Sequence, residues 1–100
     1  IIGNSSSALL EAPTFKIPAV NIGSRQDGRL KASSIVDCAS STDEILQAIE
    51  LVLSNKFQSN LTQSVNPYGM GGSVQKIIKM LLSVDFHSLP RKTFFDLSNQ

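Results

Sequence analysis

The chain has 100 residues, 41% of them apolar and 17% charged, with a formal net charge of +1. That is the size of one small domain with one core. The near-neutral balance excludes a strongly basic nucleic-acid surface, so any anion site has to be local, built from a few well-placed donors. Cys38 is the single cysteine, which rules out an internal disulfide and a thiolate zinc set. A reducing, cytoplasmic setting is the simpler reading. The apolar run around Cys38, from Ser34 to Ala39, predicts a small buried core residue. No apolar run reaches the ~18 residues of a membrane span. No basic stretch followed by an apolar one opens the chain as in a secretory signal.

Ile1-Ile2-Gly3 reads as the end of a buried strand already in progress, the mark of a piece cut from a longer chain. Asn4 and the three serines after it are favoured N-cap types and predict a helix from about Ser6 to Phe15. Ala8, Ala12 and Phe15 would share one face of it. Pro13 removes one backbone donor and crowds the preceding turn, so that helix should be short or bent. Ile17 to Ile22 is nearly continuous in apolar residues, as in a strand buried on both faces of a parallel sheet, and Gly23 closes it. Ser24 to Ala32 is a charged loop containing Gly28, and Ser34 to Cys38 is a second short strand.

Ser41-Thr42-Asp43-Glu44 fits a capping box, with Ser41 and Glu44 serving each other's backbone. The helix it opens carries Ile45, Ala48, Ile49, Val52 and Leu53 as an amphipathic stripe. Lys56 to Gln63 predicts one more short helix. Asn66 to Gly72 is turn chemistry throughout. Ser73 then caps a helix striped by Val74, Ile77, Ile78, Leu81 and Leu82. In the tail from Leu89 to Gln100, Thr93-Phe94-Phe95 is a candidate edge segment, and its phenylalanines leave room for domain or homo-oligomer contacts. Strands and helices alternating at this spacing argue for an α/β layer on a parallel sheet. Ligands in such sheets sit beyond the carboxyl ends of the strands, where the turn from Gly3 to Ser7 lies.

That turn is the first candidate site. A helix start offers unpaired N–H groups and roughly half a positive charge, and small serines let an anion approach the backbone while adding hydroxyl donors. The plainer alternative is a cap with polar neighbours. Glu11 lies four residues after Ser7, on the same helix face. Its carboxylate suits two adjacent hydroxyls, as on a ribose, or is an ordinary solvated glutamate. Arg25 and Arg29, in the loop after the next strand, have the planar fork that suits phosphate; a charged surface loop is the alternative. Asn66-Pro67-Tyr68-Gly69 is a lid, a domain contact or a plain turn. His87, the only histidine, has no paired nucleophile or metal-ligand spacing. There is no P-loop and no G-x-G-x-x-G, and nothing calls for a cofactor or a metal.

Together, Ile2-Gly3-Asn4-Ser5-Ser6-Ser7, Glu11-Ala12-Pro13, Asn21-Ile22-Gly23 with Arg25-Gln26 and Gly28-Arg29, and Asn66-Pro67-Tyr68-Gly69 resemble the UDP-N-acetylglucosamine 2-epimerases, particularly the hydrolysing type of sialic-acid and related surface-sugar synthesis. The resemblance covers the whole chain and is strongest over its first third. It implies a Rossmann-like parallel sheet, the C-terminal, UDP-binding half of a two-domain fold of the glycosyltransferase B kind, spanning residues 1–100. It implies that Ser5 and Ser6 contact the diphosphate, Glu11 the ribose and Arg25 a phosphate, with Asn4, Ser7 and Arg29 as neighbours. UDP or UDP-N-acetylglucosamine is then the ligand, with no cofactor, nucleic acid or membrane involved. The family's catalytic carboxylates and histidine lie upstream of the matched segment, in an N-terminal domain absent here, so the resemblance implies no catalytic residue in this chain and an inactive fragment. Three departures stand out: Ala8 and Lys16 where glycine is usual, and Met70 where an acid is common. Two other readings remain: the corresponding half of a glycosyltransferase, and a stand-alone nucleotide-sugar binding module.

Overall fold

The computed structural model describes residues 1–88. They fall into two compact units, one from Ile1 to Met70 and one beginning at Gly71. The predicted edge segment at Thr93-Phe94-Phe95 lies outside the described residues.

The first unit is built on a three-stranded parallel sheet in the order β1 (Ile2–Gly3), β2 (Ala19–Ile22), β3 (Ile35–Cys38). Side chains alternate across β2, so Ala19 and Val20 enter different cores. Ala19 packs with Ala8 and Leu9 of helix α1 (Ser7–Leu10) and with Ile35. Val20 packs with Ala48 and Val52 of α2 (Thr42–Leu53), backed by Ile22, Val36, Ile49 and Phe57. The continuous apolar reading of β2 therefore holds: it is the central strand, covered on both faces. Leu9 is wholly buried, and truncating it to alanine would cost about 3 kcal/mol. This mixed, parallel, Rossmann-like architecture is the one expected from the sequence.

Several expectations are corrected. Among the described residues β1 has one neighbouring strand, β2, and Ile1 and Ile2 are exposed rather than buried. The strand expected from Ile17 begins at Ala19, after Pro18. The helix expected from Ser6 to Phe15 breaks in two: α1 ends at Leu10 and a tighter 3-10 turn spans Ala12–Phe15. Pro13 has no N–H to continue the helical ladder. Ala12 is buried on the predicted face, whereas Phe15 is exposed. Lys16 ends the turn with φ of 57°, a left-handed backbone that glycine adopts without steric cost. Its ammonium donates to the Ser64 carbonyl. Cys38 is half-buried against the Val20 core rather than fully enclosed.

The predicted cap of α2 forms with altered partners. Ser41 Oγ accepts from the Glu44 amide at 3.4 Å, while Glu44 Oε2 accepts from Ala39 N–H at 2.8 Å rather than from Ser41. Leu53, the last residue of the predicted stripe, is exposed. The short helix expected from Lys56 is α3 (Asn55–Asn60) with a 3-10 turn at Leu61–Gln63. In the second unit, α4 (Ser73–Ser83) starts from Gly72 at φ 80°, and Ser73 is its first helical residue rather than its cap. The apolar stripe of α4 is exposed along its length. Among the described residues, no helix is long and apolar enough to cross a membrane.

Candidate functional site

Parallel strands end together. Gly3 pairs with Asn21 and Ile22 with Cys38, so the Asn4–Ser7 turn and the loop 23–34 leave the same end of the sheet. β2 and β3 are adjacent and parallel, and loop 23–34 carries the chain back between them without a helix. It is long because a parallel crossover must run the length of the sheet. Arg25 follows the end of β2, and Arg29 N–H bonds back to the Gln26 carbonyl at 3.3 Å, which keeps both at this end.

Within the turn, Ser5 rather than Ser6 supplies the capping hydroxyl. Ser5 Oγ accepts from Ser7 N–H at 3.3 Å and lies 3.0 Å from Ser7 Oγ. Ser6 occupies the N-cap position without a side-chain cap bond. Asn4 and Ser5 are exposed; Ser6 and Ser7 are half-buried. α1 is a single turn of four residues. It therefore lacks the aligned peptides that give a long helix its half charge, and individual N–H and hydroxyl donors are what the turn can offer an anion.

The loop after β2 reaches back to this turn through one side chain. Gln26 is 3% exposed while Arg25, Asp27 and Arg29 around it are exposed. Its Nε2 donates to the Asn4 carbonyl at 2.8 Å. The sequence pattern contained Gln26 but did not single it out, because a loop has no periodicity from which burial can be read. Glu11 N–H donates to the Ser7 carbonyl at 2.9 Å, but the side chains of Glu11 and Arg29 are exposed, and among the described residues neither makes a hydrogen bond or ion pair to the turn.

Two polar groups brace the surroundings. Asn21, fully buried in β2, donates from Nδ2 to Asp37 Oδ1 at 2.6 Å, and Lys31 Nζ meets Asp37 Oδ2 at 2.9 Å. Partial burial works to raise the Asp37 pKa, but the bonds from Lys31 and Asn21 and the Lys31 charge outweigh it, and the carboxyl sits below its ordinary range. On the far side of α1, Asn66 donates from Nδ2 to the Leu10 carbonyl and to Thr14 Oγ1, both at 2.8 Å, and its Oδ1 accepts from Tyr68 N–H at 3.0 Å. The Asn66-Pro67-Tyr68-Gly69 segment is thereby tied to the break between α1 and the 3-10 turn.

The turn and the loop bring hydroxyl, amide and guanidinium donors to one end of the sheet. Among the described residues no cluster of histidine, cysteine and carboxylates suits a metal. The Cys38 thiol is pushed up by desolvation and by the charges of Glu44 and Asp37, which disfavours a nucleophilic thiolate. A cavity of about 150 Å³ lined by Ser34, Phe57, Leu61 and Ser64 opens beside the start of β3, the opposite end from the serine turn.

Residues 1–82 match the family model described as UDP-N-acetylglucosamine 2-epimerase. The chain belongs to the UDP-N-acetylglucosamine 2-epimerase family. It is 44% identical over 98 residues to the GDP/UDP-N,N'-diacetylbacillosamine 2-epimerase (hydrolyzing) of Campylobacter jejuni, covering 97% of this chain and 25% of that protein. It is 32% identical over 98 residues to the polysialic acid biosynthesis protein P7 of Escherichia coli, with the same two coverages. The UDP-N,N'-diacetylbacillosamine 2-epimerase (hydrolyzing) of Legionella pneumophila is 33% identical over 88 residues, 88% of this chain and 22% of that one. This 2-epimerase-family chain thus spans about a quarter of the length of the first two curated relatives.

Proposed function

We propose that this chain is the UDP-holding portion of a hydrolysing 2-epimerase, the C-terminal domain of a two-domain enzyme acting on UDP-N-acetylglucosamine. Ser5 and Ser6 hold the diphosphate, with Asn4 and Ser7 beside them. Arg25 meets a phosphate, Arg29 adds positive charge nearby, and Glu11 accepts from the ribose hydroxyls. The observation that supports this reading most is the Gln26–Asn4 bond, which joins the serine turn to the arginine loop at one end of the sheet. Serine hydroxyls, amides and a guanidinium brought together there match the donors a diphosphate needs.

In the proposed reaction UDP is the leaving group. A base removes the proton at sugar C2, the C1–O bond to UDP breaks, and the electron pair of that bond leaves with the diphosphate. Water then adds at C1 and a proton returns to C2 on the opposite face, giving N-acetylmannosamine. Donors already aimed at the diphosphate stabilise the charge that develops there. The base and acid lie in the portion of the enzyme outside this chain.

The identity to the Campylobacter protein favours a second reading of the sugar alone, with N,N'-diacetylbacillosamine in place of N-acetylglucosamine. Both readings share a nucleoside diphosphate as leaving group, although the Campylobacter protein's name includes GDP beside UDP. Titrating UDP into the labelled chain tests the common part: amide resonances of residues 4–7 and of Arg25 should move together. Movement confined to other residues would reject the site.

A further inference from the structure

We propose that Gln26 is a positioning residue that aims the Ser5 amide at the bound anion. The inference rests on reading the serine turn as the UDP diphosphate cradle.

Gln26 Nε2 holds the Asn4 carbonyl at 2.8 Å. No peptide bond in the described residues is cis, so the Asn4 carbonyl and the Ser5 N–H point in opposite directions across one rigid plane. Drawing the carbonyl towards Gln26 turns the Ser5 N–H away from it, to the other side of the turn. Among the described residues no protein acceptor is paired with that N–H. Without Gln26 the plane can rotate and present the carbonyl oxygen, which repels an anion, in place of the donor.

The orientation of the carboxamide is set by chemistry, because only the NH2 end can face a carbonyl. Gln26 Oε1 therefore points elsewhere, and it is buried without a partner. An unpaired buried acceptor is unfavourable. The neighbouring Arg25, Asp27 and Arg29 are all exposed, so this loop readily keeps its polar side chains in water. Of these four neighbours Gln26 alone is buried, and the one bond its side chain makes fixes the turn's first peptide plane.

Gln26→Met keeps length and packing while removing both the donor and the stranded acceptor. The variant chain should melt within a few degrees of wild type. Its UDP affinity should fall about tenfold, the equivalent of one well-aimed hydrogen bond, and the UDP-induced shift of the Ser5 amide should be lost. A residue that only supports the fold would lower the melting temperature and leave the affinity of the folded chain unchanged. That result, or wild-type affinity with the Ser5 shift retained, overturns the proposal. If the variant does not fold, the wild type decides: shifts at Ser6 and Arg25 without one at Ser5 overturn it, and a Ser5 shift alongside them supports it. No UDP-induced shift anywhere in residues 4–7 of the wild type would remove the UDP reading itself and this inference with it.

Discussion

Thr14 N–H bonds to the Glu11 carbonyl, one residue short of the helical pattern, and the Leu10 carbonyl is left for another donor. Asn66, 56 residues further on, supplies it. The composition of Asn66-Pro67-Tyr68-Gly69 identifies a turn, but which carbonyl its asparagine meets depends on tertiary placement that no local pattern carries. Asn66→Ala strips that carbonyl and Thr14 of a buried donor and should cost about 2–3 kcal/mol, read as a lowered urea midpoint with unchanged slope. Asp37 makes a second test. Its folded pKa lies below the ordinary 3.8, so its contribution to stability is whole above that value and is lost as pH falls through the lower folded one. Wild-type stability should therefore drop on acidification below about pH 4. In Asp37→Asn that part of the drop should vanish, which thermal melts across the acid range would show.

At the scale of elements, long periodic segments were legible and short ones were not. The stripe of α2 and its cap could be read because Ala48 and Val52 recur at helical spacing behind a Ser-x-x-Glu signature. The limits of β1 and α1 could not, because two- and four-residue elements carry no period, and their ends are decided by the edge of the sheet and by Pro13. The cap partners also differ from the signature. Glu44 makes the shorter bond, 2.8 Å to Ala39, against 3.4 Å at Ser41. Glu44→Ala should accordingly cost about 1 kcal/mol and Ser41→Ala under about 0.5 kcal/mol. Equal costs in chemical denaturation would mean that the signature, not the observed geometry, describes the cap.

At the scale of the whole molecule, the proposed function makes the chain a nucleotide grip whose reaction centre lies in the rest of the enzyme. The serine turn and Arg25 were legible as candidates because their residue types are chemically suited to phosphate. Their nearness was legible too, since both follow strands of a parallel sheet, and the register that sets Gly3 beside Asn21 accounts for it. Gln26 was not legible, because its burial lies in a loop without periodicity. The chain covers about a quarter of its first two curated relatives, and on this account the acid–base groups lie in the remainder. Incubated with UDP-N-acetylglucosamine, the 100-residue chain should release no UDP; steady release would place chemistry within it. The central claim, that the turn and the arginine loop grip a diphosphate together, is tested most directly by calorimetry with UDP on wild type and Arg25→Ala. The wild type should bind measurably but weakly and the variant about tenfold more weakly, as expected for one lost charge-assisted contact. The same affinity in both would contradict it.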